Sequence, residues 1–148
     1  MARALIAVGA ALALGIAILA LAVYLTRDED NIAVDNLLSE RFTRAVALSE
    51  ERGEDVELAR LAPFAWDRVV IVARGTPAPA ISRRLGIEWT GQLGFEAGEL
   101  LILLERGEVA RFLDYRGEGR FEGIDEPFQE LPRARAVFRV RGLAIAPR

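Results

Sequence analysis

The sequence contains no cysteine, no histidine and, among its 19 basic residues, no lysine. Without thiols or imidazoles the chain has no disulfide, no thiolate nucleophile, no imidazole base and none of the nitrogen or sulfur ligands of the common zinc sites. Ser39, Ser49 and Ser82 therefore have no histidine to activate them, and Asp and Glu are the only plentiful acid–base groups left. Neither a disulfide pattern nor a lipid-bearing cysteine marks a compartment, so location has to be read from hydropathy. The all-arginine basic set, together with heavy use of Ala, Leu, Gly, Glu and Val, reflects compositional bias rather than guanidinium chemistry. From Thr26 onward the chain carries 18 arginines against 22 acids, a net charge of −4. Nothing in that balance suggests a nucleic-acid footprint, which would need basic residues clustered on one face. No cofactor, metal or nucleic-acid partner is expected.

What the sequence does have is one long uncharged run, "ALIAVGAALALGIAILALAVYL", from Ala4 to Leu25. At about 1.5 Å per residue its 22 residues make roughly 33 Å of helix, enough to cross a hydrocarbon core of about 30 Å. A cleaved signal peptide competes with this reading, because Ala20 to Ala22 has the small-x-small form of a processing site. The run is longer than the usual h-region and reaches Tyr24 at an interfacial position, which favours an uncleaved anchor. Arg3 before the run and Arg27 after it leave the arginine count undecided, yet a short basic stub ahead of an apolar span resembles a signal-anchor. The expected organisation is an anchor over residues 1–25, a linker over 26–33 and an extracytoplasmic domain over 34–148, the protein being single-pass in the cell membrane.

Within that domain, Val34, Leu37, Leu38, Phe42, Ala45 and Val46 recur at three- and four-residue steps and predict an amphipathic helix ending near Gly53. "RVVIVA", Arg68 to Ala73, is a short apolar run between Pro63 and Gly75 and reads as a buried strand. "TPAPAISRRLG" predicts a short helix with Thr76 as N-cap, Pro77 at the first position and Gly86 past the end. "ELLILLERGEVARFLDY" predicts a hairpin turning at Arg106-Gly107. In "AVFRVRG", Phe138 and Val140 alternate with Arg139 and Arg141, the pattern of a strand with one wet face. The order α-β-α-β-β-β gives an α+β fold of mainly antiparallel sheet with helices on one face.

Three clusters invite a functional reading. In "FAWDRVVIVARG", alternation would put Trp66 and Arg68 on one side of a strand and Asp67 on the other, so the three do not converge on one substrate atom. Trp66 then serves as a structural anchor and Asp67 as a turn or cap residue. The stretch from Arg116 to Pro132 reads as a long irregular loop. Its acids Glu118, Glu122, Asp125 and Glu126 match no calcium-loop spacing. Phe121 and Phe128 fit either partner anchors or pins that hold the loop to its own body. They are the first partner-contact candidates, and Arg139 and Arg141 on the wet strand face are the second.

Taken in order, "FAWDRVVIV", the helix ending "LGIEW", the hairpin "ELLILLERGEVARFLDY" and "ARAVFRV" resemble a small, poorly characterised family of bacterial envelope proteins. That family has a Trp-Asp strand, a Leu-Gly helix end followed by Trp, an apolar hairpin and a closing Ala-Val-Phe strand. The resemblance covers about Pro63 to Arg141. It departs after the first strand, where the family often places a Pro-Tyr-Thr turn and this chain has Ala73 to Pro77. The outline is also similar to the small helix-plus-sheet domains of outer-membrane assembly lipoproteins and to β-lactamase-inhibitor-like modules. The resemblance implies an envelope location and no known activity. Three functions remain: a membrane-tethered, non-catalytic binding or assembly module with an envelope or membrane protein partner; an accessory single-pass subunit of a larger membrane complex; and a carboxylate-dependent hydrolase.

Overall fold

The continuous apolar runs at Arg68–Val72 and Leu100–Glu105 lack the hydrophobic–polar alternation of a half-wet strand, so each needs cover on both faces. The computed structural model, which describes residues 34–90, 98–124 and 127–148, supplies that cover. The elements run α1 (Asn36–Arg52), β1 (Val56–Glu57), α2 (Leu58–Leu61), β2 (Arg68–Val72), α3 (Ala78–Leu85), β3 (Leu100–Glu105), β4 (Glu108–Asp114), β5 (Arg120–Phe121), β6 (Phe128–Pro132), a 3-10 turn (Arg133–Arg135), β7 (Val137–Arg141) and β8 (Ala144–Pro147). They form two four-stranded sheets, ordered β4-β3-β2-β6 and β1-β7-β8-β5. Every pairing is antiparallel except that of β5 with β8.

One face of the first sheet, bearing Val69, Ile71, Leu101, Leu103 and Leu113, shares a core with Leu38, Phe42 and Val46 of α1 and with Phe138, Val140 and Ile145 of the second sheet. The opposite face, bearing Val70, Val72, Leu100, Ile102, Leu104 and Phe112, is covered by Ile81 of α3 and by Trp89. The expectation of helices on one face is therefore corrected: α1 and α3 lie against opposite faces of the first sheet, as the doubly buried β2 and β3 demand.

Local signals account for the element ends. Asp35 caps α1 by accepting the Leu38 N–H at 3.0 Å, and Gly53 closes it with φ 65°. Leu37, on the expected apolar stripe, is 56% exposed. The β3–β4 hairpin turns at Arg106 (φ 54°) and Gly107 (φ 92°), the two left-handed residues of a type I′ turn. The N-cap of α3 is Pro77 rather than Thr76, because the Thr76 hydroxyl turns back and donates to the Ala73 carbonyl at 2.7 Å.

The expected irregular loop over Arg116–Pro132 is also corrected. It contributes β5 to the second sheet and β6 to the edge of the first, where β6 pairs with β2 along its length. Pro132 ends β6 on that edge, the position in a sheet that tolerates a residue without an N–H.

Every described residue belongs to one compact unit. Among the described residues no helix is long and apolar enough to cross a membrane. The Ala4–Leu25 run and the 26–33 linker lie outside them, as do Asp125 and Glu126.

Candidate functional site

Trp66, Asp67 and Arg68 stand at the start of β2, where the chain leaves a bend and enters the sheet. The bend breaks the alternation expected there. Trp66 joins the core with Val69 and Ile71, while Arg68 reaches Glu130, a β6 residue that also pairs with Arg84 of α3. The two side chains therefore do not share a side. Trp66 is 4% exposed; its indole N–H donates to the Ala62 carbonyl at 3.0 Å, and the Arg133 guanidinium lies over its ring at 4.9 Å. Arg133 also donates to the carbonyls of Phe64 and Trp66. Asp67 ties three segments together. Its N–H donates to Leu104, its carbonyl accepts from Arg133 N–H, and its carboxylate accepts the Arg106 N–H of the hairpin turn at 2.6 Å. The cluster anchors the core and closes a turn, and it presents no convergent reactive groups.

Both phenylalanines of the 116–132 segment are pinned to the body. Phe121 is 8% exposed and packs among Phe42, Tyr115 and Phe138. Phe128 is half-buried against the α3 side of the first sheet. The structure thus packs Phe121 into the core, with the little of it that stays exposed at the pocket it lines with Glu99.

Arg139 and Arg141 do face outward from β7, while Phe138 and Val140 point into the core. The β7–β8 hairpin brings Arg148 beside them. Asp55, just before β1, joins two of these cations: its carboxylate oxygens lie 3.3 Å from Arg139 Nε and 2.6 Å from Arg148 Nη1. Arg141 is exposed and has no ion pair among the described residues. These arginines, with Glu122, Ala144 and Ala146, line an open depression of about 330 Å³. Asp55 pairs two of the three guanidinium groups and Glu122 joins the lining, so Arg141 is the cation there without an ion pair among the described residues, over a shallow floor that suits a protein surface better than a buried small molecule.

Glu99 opens the hairpin stretch and belongs to none of the site motifs legible in the sequence. It is 5% exposed at the start of β3, and its carboxylate faces a separate pocket with Arg74 and Arg120. The available signal was an acid standing between Gly98 and a five-residue apolar run, where burial of the strand carries the acid inward with it. Neighbouring Tyr115 feels this placement: burial pushes its hydroxyl pKa up, the Gly119 N–H lowers it, and the Glu99 charge raises it further. Among the described residues no group of three or more acidic side chains is placed to hold a metal ion. No family model, no curated protein and no solved structure matches the chain.

Proposed function

We propose that the protein is a membrane-tethered binding or assembly module of the bacterial envelope, non-catalytic, with its domain held outside the cytoplasmic membrane and its contact made through the arginine face of β7 and β8. The observation that carries this reading is the 22-residue run without a charge, Ala4–Leu25, since burial of about 20 apolar residues anchors a chain effectively irreversibly. The resemblance of the motifs in Pro63–Arg141 to envelope proteins would imply the same location. The contact surface follows from the depression lined by Arg139, Arg141 and Arg148. An acidic partner would gain from it in rate of encounter and in orientation more than in raw affinity.

A photo-crosslinking residue at position 141, activated in intact membranes and followed by mass spectrometry, tests the reading. The expected adducts are envelope proteins with acidic surfaces, and raising the salt or introducing Arg139→Glu weakens them. A single dominant integral membrane protein would favour the accessory-subunit reading instead. An absence of adducts would remove the arginine face as a contact surface.

A further inference from the structure

The outward side of α1 is not the polar face of a solvated helix. Leu38, Phe42, Val46 and Ser49 turn into the core. At about 3.6 residues per turn, Leu37, Arg41, Arg44, Leu48 and Arg52 fall on one outward stripe. Its two leucines are 56% and 37% exposed. A leucine exposed singly needs no cover, but these two belong to a continuous surface. Two open depressions of about 210 Å³ each run beside the stripe, one lined by Leu37, Arg41 and Phe64, the other by Leu48 and Arg52, and Leu61 lines both. Most acids of that lining are already paired: Asp35 with Arg111, Asp55 with Arg139 and Arg148, and Glu57 with Arg60. Arg41, Arg44 and Arg52 have no ion pair among the described residues. Glu40, Glu51 and Glu54 are exposed close to them in the chain. The surface is therefore amphipathic rather than strongly charged, and its apolar residues decide what it fits.

The chain enters the domain beside this surface. Val34 bridges to Phe112 of β4 and Asp35 caps α1, so Leu37 follows the entry point by three residues. Between Leu25, where the uncharged run ends, and Val34 lie eight residues, which span at most about 28 Å when fully extended. The 17 residues of α1 make a helix of about 25 Å. A bilayer that holds the run is thus within reach of the stripe. A tether this short imposes a high effective concentration of lipid surface, so a face too weak to bind lipid from free solution still docks on it.

We propose that the outward side of α1 lies on the phospholipid surface of the bilayer, with Leu37 and Leu48 entering the interface and Arg41, Arg44 and Arg52 donating to lipid phosphates from extended side chains. The inference rests on the membrane-tethered reading and adds to it the side that the domain turns to the lipid. β7 points Phe138 and Val140 into the core that α1 also lines, and Arg139 and Arg141 away from it. The arginine face of β7 and β8 therefore stays open to a partner while α1 is docked.

The absence of cysteine makes the test direct, because Leu48→Cys and Leu143→Cys each create a unique labelling position. Leu143, at the β7–β8 turn, is 60% exposed and serves as the reference. Each full-chain variant, carrying a small apolar fluorophore, is reconstituted into vesicles of phosphatidylcholine and phosphatidylglycerol and floated on a density gradient, and quenching by brominated acyl chains is read. Quenching at position 48 is expected to be at least about threefold that at position 143, as for a helix side seated at the acyl boundary. Leu37→Ser with Arg41→Glu, both at exposed positions, should bring position 48 down to the level of 143. Equal quenching at the two positions in chains that float would overturn the inference and leave the tethered reading standing. Chains that do not float would overturn both. Bismaleimide coupling between copies at position 48, without quenching there, would give the face to a second copy of the chain and overturn the inference as well.

Discussion

Phe121 stacks on Phe42 at a centroid distance of 6.2 Å and meets Phe138 and Tyr115 edge-on at 5.4 and 6.0 Å. These offset and edge-on pairs add to the burial of the ring itself. Phe121→Ala should therefore destabilise the domain by about 3 kcal/mol. Half-buried Phe128→Ala should cost about 1 kcal/mol. Urea unfolding followed by circular dichroism measures both. Trp66→Ala belongs with Phe121, at about 3 kcal/mol, and Asp67→Asn should cost much less because its main-chain bonds to Leu104 and Arg133 survive the change. Equal losses at Trp66 and Asp67 would contradict the roles given to them. An anchoring role for Trp66 and a turn role for Asp67 could be read from the residues alone. Which neighbours share the Trp66 side could not, because the bend before Arg68 interrupts the period of two on which that inference rests. Phe121 was ambiguous for a related reason: a lone aromatic in a glycine-rich segment carries no period at all.

At the scale of elements, strong periodicity or a punctuating residue made an element readable. α1 has its stripe and its closing Gly53, β2 its apolar run, the β3–β4 hairpin its Arg106-Gly107 turn, and β7 its alternation. β1 and β5 are two residues long, too short to show any pattern, and β6 reads "FQELP", polar enough to pass for loop because it is an edge strand. The Asp35 cap allows a test at this scale. Burial raises its carboxyl, but the hydrogen bonds from Arg111 and from Leu38 N–H outweigh that and hold it below the usual carboxylate range. A folded-state value below the unfolded one stabilises the fold above the unfolded value, near pH 3.9, and that contribution is lost as pH falls through the folded value. Asp35→Asn keeps a capping oxygen and loses the charge. Wild type should thus exceed Asp35→Asn in stability near neutrality, with the gap closing below about pH 4. Melting temperatures of both proteins across the acid range check this, and a gap that persists in acid would assign the stabilisation to something other than ionised Asp35.

At the scale of the whole molecule, the domain brings two differently charged features to its surface: an open face of arginines on the second sheet and a small mixed-charge pocket at the end of the shared core. Neither is an arrangement of paired carboxylates around a reacting bond: one acidic residue, Glu122, lines the first and one, Glu99, lines the second. The proposed binding role needs such surfaces to be held where partners are, which makes the tether central to it. Alkaline carbonate washing of membranes from cells making the full chain, with N-terminal sequencing of the retained protein, tests the tether most directly. The account expects the intact chain, with the Ala4–Leu25 run still attached, to stay with the membrane pellet. Release into the supernatant, or recovery of a mature form beginning near Val23, would contradict it.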